Sequence, residues 1–130
     1  MTSQAVEVIL LKQLAGYLAM PVWLMDEEGN LLFYNEAAEP LIGRPFADQS
    51  AITAAELAAL FVTTKENGDP IPNDELPVVI ALTQRRPSHG RLRFVSMDGA
   101  SHLIDHTALP ITGQGGRHLG AVVVFWEVEP

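Results

Sequence analysis

The chain has 130 residues and a mass of 14.1 kDa, which fits one domain, and its composition of 48% apolar and 18% charged residues is typical of a globular protein. It has no cysteine, which excludes thiol catalysis, disulfides, zinc–thiolate sites and cysteinyl–flavin photochemistry. Acidic residues outnumber basic ones 16 to 8, and because the net charge of −8 repels phosphate backbones, we expect no nucleic-acid partner.

The first predicted element is an amphipathic helix over residues 3–19. Apolar residues recur there at three- and four-residue steps, and Pro21 disfavours helical geometry at the residue before it. We assign residues 1–20 to an N-terminal helix that caps the domain or mediates dimerisation, and residues 21–130 to the domain itself.

Two strands follow, over residues 22–25 and 31–34, and a polar segment ending in Gly29-Asn30 predicts the hairpin turn between them. Asn35 is a good N-cap for a short helical turn. Gly43 is a suitable terminator for that turn.

The middle of the chain predicts short helices and the last third predicts strands. Residues 53–56 match a capping box, and Asn73 or Asp74 is expected to cap a second helix that ends before Pro87. Three strands then follow, over residues 90–97, 101–110 and 117–128. This order of elements predicts an α+β domain, with one antiparallel sheet and helices on one face.

Several motifs in this order resemble the PAS sensory domain family, in its bacterial signalling subset. The motifs are Tyr34-Asn35-Glu36-Ala37-Ala38 after the first hairpin, Ile42-Gly43-Arg44-Pro45, Asp69-Pro70-Ile71-Pro72, Asp98-Gly99, and the apolar run of residues 120–128. The resemblance covers nearly all of residues 21–128. It implies a five-stranded antiparallel sheet with short helices on one face, and the N-terminal helix is expected on the other.

The sequence departs from the family pattern at three places. Glu127-Val128-Glu129 stands where members commonly have Asp-Ile-Thr, and Pro40 stands inside a short helix. The chain stops at Pro130, where an output helix begins in relatives. From the start at Met1 we expect a whole small protein or the N-terminal piece of a longer one.

The resemblance, combined with strand alternation, predicts which side chains face a small cavity between the sheet and the helices. The candidates for that cavity are Trp23, Met25, Leu31, Phe33, Ile104, His106, Val123 and Phe125. The opposite face of the sheet is equally apolar and needs a cover, which we expect from the N-terminal helix, from a second subunit, or from both. The candidates for this packing surface are Val6, Leu10, Leu14, Leu24, Tyr34, Val122, Val124 and Trp126.

His106 stands where an inward apolar residue is expected, so a buried imidazole there needs partners or a neutral state. It fits a satisfied core histidine, a ligand contact or a haem ligand. Haem is disfavoured because haem-binding relatives usually carry their histidine on the helix before the third strand, and the helix of residues 75–86 has none. His89 and His118 lie near turns and are expected to be exposed, and the four histidines show no metal-ligand spacing.

The predicted function is a non-catalytic sensory and dimerisation module of signal transduction that binds a small ligand in its core. The alternatives are a purely structural dimerisation module with a filled cavity and, further away, a small enzyme on an α+β frame. No cofactor is assigned: a non-covalent small molecule fits, whereas haem and flavin do not fit well.

We expect a homodimer with an output signalling protein or domain as partner. The sequence has neither an apolar run of ~18 residues nor the basic flank of a signal peptide, so a cytoplasmic protein without a membrane partner is predicted.

Overall fold

The computed structural model describes residues 6–43, 45–46 and 52–128, and within them all side chains except those of residues 58 and 60. The helices are α1 (Val6–Tyr17), α2 (Glu39–Ile42), α3 (Ala54–Leu60) and α4 (Pro77–Gln84). The strands are β1 (Val22–Asp26), β2 (Leu31–Tyr34), β3 (Val62–Thr64), β4 (Ser88–Val95), β5 (Ser101–Thr112) and β6 (His118–Glu127). Residues 1–5 of the predicted N-terminal segment and residues 129–130 of the predicted domain lie outside the described residues, as does Arg44.

The six strands form one antiparallel sheet in the order β2-β1-β6-β5-β4-β3. The predicted α+β class is confirmed, but the predicted count of five strands is one too low. The additional strand is β3, in which Val62 pairs with Val95 and Thr64 with Arg93. Because β3 has three residues and lies at the sheet edge, alternation over so short a segment gives no readable signal.

Local sequence signals determine where the helices begin and end. The side chain of Thr53 caps α3 in the predicted capping box with Glu56, and Gly43 ends α2 with a φ of 95°. The prediction of Asn73 or Asp74 as the cap of α4 is wrong, because a 3₁₀ turn over Asn73–Glu75 comes first. Pro77 is the first residue of α4, where its fixed φ favours helical geometry and its missing N–H is not needed.

The main core lies on the inner face of the sheet, the face that α4 covers against β4, β5 and β6. Side chains that alternate along the strands contribute to it, since every second residue points to the same face. Its most deeply buried members are Leu31, Tyr34, Ala38, Ile42, Ala81, Ala108 and Ala121.

Helix α1 lies across the outer face and runs antiparallel to β1. Near its start, Glu7 accepts a hydrogen bond from the backbone N–H of Gln114 at 3.2 Å, in the turn between β5 and β6. Near its end, the carbonyl of Ala15 accepts one from Asn35 at 2.9 Å, just beyond β2. Val22, Leu24 and Ile111 of the sheet are buried outside the main core, as are Val8 and Ala15 of the helix. The helix and the outer face thus form a second, smaller packed layer.

The side of α1 that packs on the sheet differs from the predicted one. Val6, Leu10 and Leu14 were predicted to cover the outer face, but they are 66%, 56% and 55% exposed. Val8 and Ala15 are the residues that the sheet buries. Apolar residues occur on both sides of this helix, so periodicity could not decide which side packs inward.

Strand β2 also departs from the predicted alternation. Its register to β1 shifts between Leu24 and Met25, so Tyr34 lies opposite Trp23 and Leu31 lies opposite Met25. A bulge of this kind inserts one residue and changes which side chains share a face. The outward prediction for Tyr34 is therefore wrong, since Tyr34 is 1% exposed in the main core. Phe33, predicted to face inward, lies opposite the outer-face residue Leu24 and outside the core cluster.

Candidate functional site

A cavity of ≈ 110 Å³ lies between the inner face of the sheet and the start of α4. Strands β1, β5 and β6 supply five predicted candidates to its wall, namely Trp23, Ile104, His106, Val123 and Phe125. The remaining wall consists of Thr63, Leu76, Val78, Leu92 and Phe94. Except for Thr63 and His106, these side chains are apolar or aromatic, so the cavity suits an apolar occupant.

Three predicted cavity residues lie elsewhere. Met25 and Leu31 are buried in the main core, away from the cavity, and Phe33 packs edge-on against Phe46 with ring centroids 5.3 Å apart. Met25 and Leu31 face inward as predicted, but Met25 lies further along β1 than the cavity residue Trp23, and Leu31 lies on the edge strand β2, which contributes no residue to the cavity wall. Their side-chain direction was readable from the sequence, whereas the position of the cavity along the sheet was not.

Sequence reasoning missed the β3, β4 and α4 sides of the cavity. The inward direction of Leu92 and Phe94 could have been predicted, because they occupy alternate positions in the predicted strand over residues 90–97. In the structure they pair with Ile104 and His102 of β5. Leu76 and Val78 had no such signal, since their contact with the cavity depends on how α4 packs on the sheet.

Aromatic rings form one side of the cavity wall. Trp23 lies between two phenylalanines, with ring centroids 5.5 Å from Phe125 and 6.3 Å from Phe61. Phe61 in turn stacks on Phe94 at 5.0 Å. Tilted and stacked pairs at these distances stabilise each other beyond simple burial, so this side of the cavity is firmly packed.

His106 is the one titratable group among the described residues that line the cavity. It is 6% exposed, and burial lowers its pKa from 6.5 to about 4, against smaller opposite effects of Asp105 and the Gly90 backbone. The imidazole is therefore neutral at pH 7. Its Nδ1 has no hydrogen-bond partner within the described part of the chain, and neither does Nε1 of Trp23.

A second, more polar cavity of ≈ 170 Å³ lies on the other side of His106. Lys65, Glu75, His89 and Arg91 contribute charged or titratable groups to its wall. The guanidinium of Arg91 is already bound by Asp105 at 2.7 Å, which lowers the pKa of that carboxyl and raises that of the guanidinium. His106 thus separates an apolar cavity from a polar one.

The other histidines are dispersed. His102 contacts Glu127 at 2.9 Å, and His89 is exposed as expected. His118 was expected to be exposed but is half-buried at the first residue of β6, and both of its ring nitrogens are buried. Over residues 6–43, 45–46 and 52–128, no three His, Asp or Glu side chains are grouped as a metal ion requires. In the same residues, no helix has the length and apolar character to cross a membrane.

The chain is similar to solved PAS and LOV domain structures. It superposes on the PAS domain of nitrogen regulation protein NR(II) from Vibrio parahaemolyticus with a TM-score of 0.65 and 20% identity, covering 92% of this chain and 98% of that one. A PAS domain from Colwellia psychrerythraea gives 0.62 and 19%, covering 93% and 96%. The LOV protein of Rhodobacter sphaeroides gives 0.73 and 13%, covering 96% and 69%. No family model and no curated protein sequence matches the chain. The structural matches confirm the predicted fold.

Proposed function

We propose that this chain, which has the fold of PAS domains, is a non-catalytic sensory module that binds a small molecule and works as a homodimer. The observation that carries the proposal is the apolar cavity of ≈ 110 Å³ beneath the helices of a fold shared with a nitrogen regulation protein and light–oxygen–voltage proteins. A cavity with apolar walls and few polar groups is the usual form of a small-molecule site.

Strand β6 supplies a route from the cavity to helix α1. Val123 and Phe125 line the cavity, while Val122 and Val124 alternate with them along the strand and point to the opposite face. Because neighbouring residues of one strand point to opposite faces, a ligand that displaces β6 changes the packing of both layers. The ligand shifts the equilibrium between two arrangements of α1 by its difference in affinity for them.

The exposed side of α1 supports a homodimer. Val6, Leu10, Leu14 and Tyr17 recur along one side of the helix and are between 55% and 85% exposed. Trp126, on the part of the outer sheet face that α1 leaves uncovered, is 40% exposed. A second copy of the chain offers the same apolar surface, so a two-fold arrangement covers both at once.

The two alternative functions are less well supported. A purely structural dimerisation module requires a filled interior, whereas Trp23 and Phe125 leave the cavity open. An enzyme requires two or more titratable groups in mutual contact within the site. Among the described residues of the cavity wall, His106 is the single such group, and its burial keeps it neutral.

Neither flavin nor haem fits this cavity. Sites for drug-sized ligands occupy about 300–1,000 Å³, several times the volume between the sheet and α4. The chain also lacks the cysteine that light-driven adduct formation with a flavin requires. We therefore propose a smaller, non-covalent ligand.

Native mass spectrometry and an absorbance spectrum of the protein purified from cells test this function. A dimer mass that includes a bound small molecule is the expected result. A clean protein mass, together with no stabilisation by any small apolar compound, would show that the interior does not bind ligands and would favour the structural module. A monomer at all concentrations would refute the homodimer.

A further inference from the structure

The wall of the apolar cavity presents carbon atoms to its interior. Almost all of the surface that an occupant could touch belongs to carbon. Trp23 and His106 contribute ring carbons to this surface, since Nε1 of Trp23 and Nδ1 of His106 are buried too deeply for an occupant to reach. Among the described residues of the wall, Thr63 is the one other residue with a polar side chain. A molecule in the cavity therefore contacts carbon on nearly every side.

The charge of the wall restricts the ligand further. The described residues of the wall include no carboxylate, ammonium or guanidinium group, and His106 is neutral at pH 7 because burial lowers its pKa. An ion that is buried without a partner is strongly disfavoured, and so is a polar group that loses its hydrogen bonds to water. The cavity thus favours molecules that need no hydrogen bond over acids, amines and sugars.

The volume of the cavity restricts the size of the ligand. Protein interiors are close-packed, so a gap of ≈ 110 Å³ between the sheet and α4 offers room for a molecule. A cavity of about 150 Å³ holds benzene, so the space here suits about six carbon atoms at most. Water is a poor competitor for this space, because a buried water molecule needs about two to four polar partners.

The two sides of the cavity differ in how firmly they are packed. On the sheet side, the rings of Trp23 and Phe125 contact each other and form a firm aromatic surface. On the helix side, Leu76 and Val78 at the start of α4 are only half-buried. A nonpolar molecule between the two sides adds contacts that hold the start of α4 against the sheet.

We propose that the cavity binds an uncharged, nonpolar molecule of up to about six carbon atoms, held by contacts with carbon atoms and without a hydrogen bond. This inference rests on the proposed sensory function and adds the chemical class of the ligand. The affinity comes from apolar surface that binding removes from water and from dispersion contacts with the wall.

Binding of benzene, phenol, benzoate and naphthalene to the full chain tests the inference. Benzene should bind at least about tenfold tighter than phenol, because phenol buries a hydroxyl group without a partner. Benzoate should not bind measurably at pH 7 because of its charge, and naphthalene should not bind because two fused rings exceed the volume. Methyl chemical shifts locate the site: benzene and xenon should both change the signals of Val78, Ile104 and Val123.

A matched pair of variants on α4 shows whether benzene occupies this cavity. Val78→Phe places a ring in the space and should reduce the affinity for benzene at least about tenfold. Val79→Phe makes the same change at the next residue, which is half-buried but is not among the described residues of the wall, and should leave the affinity within about twofold. Val123→Leu fills part of the same space from the sheet side, and it should weaken benzene without displacing α4. The thermal midpoint of each variant verifies that it folds.

The outcomes separate this inference from the proposed function. If phenol binds as tightly as benzene, or benzoate binds best, the nonpolar class is wrong while a ligand-binding cavity remains. If no probe binds but native mass spectrometry detects another bound molecule, the class is likewise wrong and the sensory function stands. If no probe binds and no bound molecule is detected, both fail. Benzene binding that survives both Val78→Phe and Val123→Leu would place its site outside the cavity and overturn the inference.

Discussion

Asn35 connects helix α1 to the sheet through the carbonyl of Ala15, to which its side-chain amide donates at 2.9 Å. The same NH₂ group donates to Met20 at 2.8 Å. The side-chain oxygen accepts from the backbone N–H groups of Val22 at 3.0 Å and Ala38 at 3.2 Å. One side chain, 2% exposed, thereby fixes the end of α1, the start of β1 and the turn after β2.

Asn35→Ala should lower the free energy of unfolding by about 3 kcal/mol, since it leaves several buried backbone groups without partners. Urea denaturation followed by circular dichroism measures the change. Asn67→Ala is the matched control, because Asn67 makes its side-chain hydrogen bonds in an exposed turn with Asp69, and it should cost less than about 1 kcal/mol. Equal effects of the two substitutions would show that the contacts of Asn35 do not support the fold.

Gly120 provides a second prediction. It lies where β6 pairs with β1. Its φ is +141°, and a Cβ atom there would lie 2.0 Å from the backbone oxygen of Met25. Gly120→Ala should therefore destabilise the protein by at least about 3 kcal/mol, through backbone strain and displacement of β1. Gly16→Ala should instead stabilise it by up to about 1 kcal/mol, because Gly16 lies in α1 with open space around it. Denaturation curves that rank the two variants in the opposite order would contradict this account.

The pH dependence of stability provides a third prediction, because burial lowers the pKa of His106 to about 4 from an ordinary value of 6.5. The unfolded chain therefore binds more protons than the folded chain between these values. The neutral imidazole makes its full contribution to the free energy of unfolding above pH 6.5. This contribution is lost as the pH falls to 4, which lowers the free energy of unfolding by about 3 kcal/mol.

His106→Leu should abolish this part of the pH dependence. Thermal midpoints measured from pH 7 to pH 4 should fall more steeply for the parent chain than for the variant, while at pH 7 the variant should be equally stable or more stable. Parallel curves for the two proteins would mean that the folded state binds a proton at His106 as readily as the unfolded chain. His89→Leu, at an exposed position, should keep a slope much closer to that of the parent chain than to that of His106→Leu, because His89 is the smallest of the influences on the pKa of His106.

The fold was largely predictable because its signals are local. Asn35 as an N-cap, Gly43 as a helix end and the capping box of Thr53 each depend on hydrogen bonds within a few residues, and the structure confirms all three. The strands β4, β5 and β6 were also readable, since each is long enough for alternation to appear. The edge strand β3 and the late start of α4 depend on contacts made by distant parts of the chain, and they were missed.

The sequence predicted the direction of the side chains in the candidate site better than it predicted the position of the cavity. Alternation placed His106, Val123 and Phe125 on the correct face, because each lies in a regular strand. It placed Tyr34 and Phe33 on the wrong faces, because a bulge in β2 has no sequence signal here. The cavity volume depends on how the helices pack on the sheet, which no local pattern encodes.

The exposed side of α1 provides the last prediction, on self-association. Leu10 is 56% exposed in the middle of the helix, and Trp126 is 40% exposed on the uncovered part of the sheet. If a second copy covers both, Leu10→Glu or Trp126→Glu buries a charge at the interface, and each should weaken the dimer at least about tenfold.

Gln13→Glu is the control, because it adds the same charge at a polar, exposed position of α1. Sedimentation velocity over a range of concentrations measures the dissociation constant. An unchanged dimer for Leu10→Glu would exclude α1 from the interface, and an unchanged dimer for Trp126→Glu would exclude the sheet face. Because neither side chain is buried within one chain, both variants should keep a thermal midpoint close to that of the parent, so that a loss of association is distinguishable from unfolding.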